Sequence, residues 1–161
     1  MLVYLSAYPP RNGESVLGLA RRDPESMPGP NLIVDEERAA ARLRDEAVLE
    51  LLYADCPRED AARAISRRGP EPLDAGATPV SITEERFGRI PRAYIECLED
   101  RVISPAFQKT MYTATPCQQV LSLHTGHSPF YAALWELARQ LISLRSSVPE
   151  ATTTGNAESL V

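Results

Sequence analysis

The chain has 161 residues, of which 43% are hydrophobic and 24% charged, and its formal net charge is −5. That length supports one domain with an ordinary core, and the composition excludes a disordered chain. The arginines are interspersed with Asp and Glu and form no basic face, which argues against a nucleic-acid partner.

No run approaches the roughly 18–20 apolar residues of a membrane span. Cys56, Cys97 and Cys117 are far apart and odd in number. They predict no disulfide framework and point to a reducing compartment. The opening "MLVYLSAYPP" is apolar but too short for a signal peptide and lacks a basic leading region. A soluble, cytoplasmic protein is expected, with no membrane partner.

In chain order, "LVYLSA" (2–7) reads as a short buried strand set against a Pro-Pro stop. "SVLGLA" (15–20) suits one or two helical turns. "DPESMPGPN" (23–31) is irregular, because prolines and a glycine break both kinds of periodicity. Propensity over 36–52 predicts one long helix. In "CPREDAARAISRRGP", Pro57 suits the first helical position and Glu59 and Asp60 the first turn. Arg67 and Arg68 suit the last turn and Gly69 the stop. Residues 71–91 read as connection.

The pattern then becomes regular. Arg92–Cys97 and Gln119–Leu123 are strand candidates. Each is followed by a loop and a helix start of the same kind: Ser104 as N-cap with Pro105 at N1, and Ser128 as N-cap with Pro129 at N1. Phe107 and Met111 share a face in the first helix, and Leu134, Leu137, Ala138 and Leu141 form a stripe on the second. From Arg145 the chain turns polar, and the tail is expected to be disordered.

Strand–loop–helix repeated twice is the signature of βα units on a parallel sheet. Functional groups in such sheets gather at the carboxyl ends of the strands. Asp100 and His127 both lie in such loops, 27 residues apart. Either alone reads as an ordinary loop residue. Together they fit an acid that fixes the tautomer of a histidine base. Glu99 competes with Asp100 on spacing.

Other candidates are weaker. His124 and His127 form H-x-x-H, but a strand end and a loop do not present one ligand face, and no carboxylate or C-x-x-C completes a metal set. Cys97 reads as a small core residue. Cys56 precedes a helix start, which would lower a thiol pKa, but no histidine is placed to partner it. Ser15 in "NGESVLG" sits in G-x-S-x-x-G rather than G-x-S-x-G and follows a loop, so it is not taken as a nucleophile.

The blocks "RAYIECLEDRVISPAFQKTMY" and "TPCQQVLSLHTGHSPF" resemble the C-terminal part of the α/β-hydrolase superfamily. They are similar to its branch of plant methyl-ester esterases, hydroxynitrile lyases and bacterial α/β-fold hydrolases. There a Tyr-Ile-like strand precedes an acid and P-x-x-Q-like helix residues, and a later D-H or H-S-P-F block carries the histidine. "LVYLSAYPPRNGES" resembles the strand and loop after the nucleophile-elbow helix, and "LYADCPREDA" a cap motif.

The resemblance covers about residues 1–144. It implies an α/β fold: a partial α/β-hydrolase, its last three parallel strands with flanking helices plus a mainly helical cap insertion. Residues 1–14 and 81–145 would be core, 15–80 cap, and 146–161 tail. It implies Asp100 as the triad acid, favoured over Glu99 by its distance to Phe107, and His127 as the triad histidine, with no metal or other cofactor. It also implies a β-hairpin near "NLIV" and "AAARL", against the long helix that propensity favours. The implied activity is esterase-like hydrolysis of a small ester by a Ser-His-Asp mechanism. Lyase chemistry in that branch leans on a cap-side lysine. Lys109, the only lysine, falls in the helix after Asp100.

The first half of the family pattern is absent, including the oxyanion loop and the Ser elbow. An acid and a base then have no nucleophile to activate. The chain is expected to be an inactive or incomplete part alone, and the edge at residues 2–7 to seek the missing N-terminal part or a second copy. The alternative is a non-catalytic remnant, or a small-molecule-binding or interaction protein.

Overall fold

The computed structural model describes residues 1–146. The tail expected to be disordered falls almost wholly outside them.

The core is a three-stranded parallel sheet in the order β1-β5-β6, formed by β1 (Leu2–Leu5), β5 (Arg92–Cys97) and β6 (Gln119–Leu123). Leu2 faces Arg92 across the first pair and Ala93 faces Gln119 across the second. Alternation sends Ala93, Ile95 and Leu123 to one face, where Leu137 and Leu144 of α7 (Leu134–Ser146) cover them. Tyr94 points to the other face, between Tyr4 and Tyr112 of α5 (Pro105–Ala114). Ser104 caps α5 as expected, its hydroxyl accepting from the Phe107 N–H at 3.1 Å.

Part of the chain between β1 and β5 forms a layer that contacts the loops after β5 and β6. It begins with α1 (Val16–Ala20), where Ser15 is the N-cap and accepts from the Gly18 N–H. An antiparallel sheet follows, of β2 (Leu32–Asp35), β3 (Ala40–Leu43) and the two-residue β4 (Glu71–Pro72). The hairpin implied by the resemblance is present, and the single helix over 36–52 is not. Asp35 accepts from the Arg38 N–H and Ala39 takes φ +46°, so the chain reverses there, and only α2 (Asp45–Leu52) is helical. Leu43 then packs with Ala47, Val48 and Leu51 in a small core of its own, and that packing outweighs helix propensity.

Three further expectations are corrected. Helix α3 runs Arg58–Ile65, so Pro57 is its N-cap rather than its first turn, and Arg67 and Arg68 lie beyond its end. Residues 71–91 are more than connection. They hold β4, α4 (Leu73–Ala77) and a π-helical turn at Glu84–Gly88. The last helix is broken: α6 (Pro129–Ala132) stops at Ala133, and the Ser128 side chain makes no cap bond. The buried positions on α7 are Leu137 and Leu144, whereas Leu134 and Leu141 are exposed.

Candidate functional site

Asp100 and His127 meet at the carboxyl edge of the sheet. They follow β5 and β6, which are parallel neighbours, and the Glu99 N–H donates to the Thr125 carbonyl at 3.0 Å to tie the two loops together. His127 Nδ1 lies 2.9 Å from Asp100 Oδ2. The Asp100 side chain is fully buried, while His127 keeps 25% of its side-chain surface. Glu99, the competitor on spacing, is exposed.

Asp100 is held from both sides. Its Oδ1 accepts from the Val102 N–H at 2.7 Å and the Ile103 N–H at 3.1 Å, a local turn in which a short acid replaces a backbone acceptor. Its Oδ2 accepts from His127 and from the Ser6 hydroxyl. Four donors thus fill the acceptor positions of one carboxylate. A buried anion needs such company to avoid a large desolvation cost. With Nδ1 committed to Asp100, Nε2 is the ring nitrogen left to move a substrate-side proton.

The layer above grips both loops. Behind Asp100, the buried Asp23 accepts from the Ser104 N–H at 2.7 Å and its hydroxyl at 2.8 Å, and the Ser26 hydroxyl donates to the Val102 carbonyl. Around His127, the Gly126 N–H donates to Asp55 Oδ2 at 2.7 Å, the Cys56 thiol lies 3.8 Å from the Ser128 carbonyl, and Tyr131 meets Tyr53 edge-on. An added Cβ at Gly126 would stand 3.0 Å from Asp55 Oδ1, so glycine permits this approach.

The remaining candidates stand apart from the dyad's chemistry. His124 is exposed and does not join His127. Among the described residues no group of three His, Cys, Asp or Glu side chains could hold a metal ion. Lys109 is exposed on α5. The Cys56 thiol is not lowered by its helix start. Burial first, then the charges of Asp55 and Asp60, push it up to about 11. Burial also pushes the Cys97 thiol up to about 11. Sequence reasoning misses Ser6, Asp23 and Asp55, whose roles depend on contacts 70 or more residues away.

No protein-family model matches the chain. Methylesterase 17 of Arabidopsis thaliana is 33% identical over 113 residues, covering 68% of this chain and 41% of that protein. Methylesterase 9 of the same plant is 29% identical over 104 residues, covering 63% and 41%. Among solved structures, a pyrethroid hydrolase from Sphingobium faniae JZ-2 superposes with a TM-score of 0.78 at 24% identity, over 91% of this chain and 60% of that one. Polyneuridine aldehyde esterase superposes with a TM-score of 0.75 at 19% identity, over 89% and 61%. The fold is that of the C-terminal part of an α/β-hydrolase. The chain spans less than half the length of the curated relatives it matches. The parallel sheet with its flanking helices is the part of the chain that carries the α/β-hydrolase fold.

Proposed function

We propose that Asp100 and His127 are the acid and base of a Ser-His-Asp esterase that cleaves a small ester. The nucleophile and oxyanion donors come from a segment outside these 161 residues, docked against the open edge of β1. The observation that carries this reading is the 2.9 Å contact between His127 Nδ1 and a buried Asp100 whose other acceptor positions are filled. In the proposed cycle His127 Nε2 takes the serine proton as the serine oxygen attacks the ester carbonyl. Asp100 stabilises the imidazolium, which then protonates the leaving alcohol. Water repeats the sequence on the acyl-enzyme. The proposed setting is the cytoplasm, where free thiols such as those of Cys56, Cys97 and Cys117 stay reduced.

The test joins the residues that precede the matched region of Methylesterase 17 to the N-terminus of this chain and assays hydrolysis of methyl esters. Turnover by the joined protein, with none by the 161-residue chain alone, is the expected result. A folded joined protein that binds ester without turnover would instead favour a binding role.

A further inference from the structure

Ser6 follows β1 in a conformation that serine seldom adopts. Its φ is +39°, in the left-handed region where a Cβ is strained. Such a residue persists when its surroundings over-determine it, and these do. The Ser6 N–H donates to the Ile95 carbonyl at 2.9 Å, and the Tyr94 hydroxyl donates to the Ala7 carbonyl at 2.8 Å. The outcome is a buried hydroxyl aimed at the dyad. It donates to Asp100 Oδ2, the same oxygen that receives His127, and stands 3.5 Å from His127 Nδ1.

Ser6, Asp100 and His127 follow one another in the order of a hydrolase triad, yet the geometry speaks against Ser6 as a nucleophile. A nucleophile must pass its proton to Nε2. Ser6 lies on the opposite edge of the ring, at the nitrogen that Asp100 already holds, and its own proton goes to the carboxylate. The opposing face of Asp100 is fixed by the Val102 and Ile103 amides, so among the described residues Ser6 supplies the side-chain donor that steadies Oδ2 besides the imidazole itself.

We infer that Ser6 is a positioning residue: its hydroxyl, set by the strained backbone after β1, locks Asp100 Oδ2 beneath His127 and holds the imidazole in the Nδ1–H tautomer. This rests on the dyad reading above, but its test needs no ester hydrolysis. The full 161-residue chain, labelled with 15N-histidine, is compared with S6A and S6G. Glycine accepts the left-handed backbone without strain, so S6G removes the hydroxyl from a chain that keeps its turn. The parent should show His127 as the Nδ1–H tautomer with a slowly exchanging ring proton. Both variants should exchange that proton at least tenfold faster and shift toward the Nε2–H form. Unchanged exchange and tautomer in a folded S6G would overturn the inference. So would covalent capture of a fluorophosphonate probe at Ser6, which would make it a nucleophile. A joined protein without esterase activity would count against the proposed function and leave this result standing.

Discussion

The Asp100 side chain accepts hydrogen bonds from Val102, Ile103, Ser6 and His127. Replacing it by asparagine keeps its size but turns one acceptor into a donor facing the imidazole N–H or the Ser6 hydroxyl. Asp100→Asn should therefore cost about 2 kcal/mol or more, on the usual scale for hydrogen bonds to a charged group, as read from urea unfolding. The two thiols give a second expectation. Cys56, pushed up to about 11, should react with iodoacetamide at pH 7 roughly a hundredfold more slowly than an unperturbed thiol, because its thiolate fraction falls by that factor. The buried Cys97 links to stability with a definite sign. Its folded pKa is raised to about 11, so the unfolded chain releases the proton first, and stability should fall as pH rises from the ordinary thiol range to about 11. Asp100 and His127 were legible because a two-fold strand–loop–helix rhythm puts both at one sheet edge. Ser6 was not, since its role depends on one left-handed φ and on partners far along the chain, neither of which leaves a local mark.

The elements divide along the same line. β5, β6 and the start of α5 follow from local pattern, because apolar runs and a Ser-Pro start state their own boundaries. The elements between β1 and β5 do not. Residues 36–52 have helix-forming side chains, but burial of Leu43 and the reversal at Ala39 select a hairpin. The stop at Ala133 is equally silent in the sequence. The short α6 before it carries Tyr131, which meets Tyr53 of the layer between β1 and β5. With the Asp55 and Cys56 contacts, this ties residues 53–56 to the His127 loop. Asp55→Ala removes the acceptor of the Gly126 N–H, and amide exchange at Gly126 and His127 should accelerate without loss of the β5–β6 ladder. Protection unchanged in that variant would show that Asp55 does not steady the loop.

At the scale of the whole molecule, the described residues leave β1 paired on one side only, against β5. Leu2 is 36% exposed at that edge, and Leu134 and Trp135 on α7 are 53% and 78% exposed. An open parallel edge favours association, and so does exposed apolar surface elsewhere on the molecule. The chain alone should therefore self-associate in sedimentation experiments, and the joined protein, whose added strands cover β1, should run as a monomer. The resemblance foresaw this edge because it supplied the strand order; periodicity alone gives strands without neighbours. In the proposed function His127, steadied by Asp100, is the base of an esterase. The measurement that meets it most directly compares kcat for methyl-ester hydrolysis by the joined protein and by its His127→Ala variant, with folding of both verified. A loss of about 10³-fold or more is predicted, with substrate binding largely kept. Turnover that survives the substitution would contradict the assignment and return His127 to the status of a loop residue.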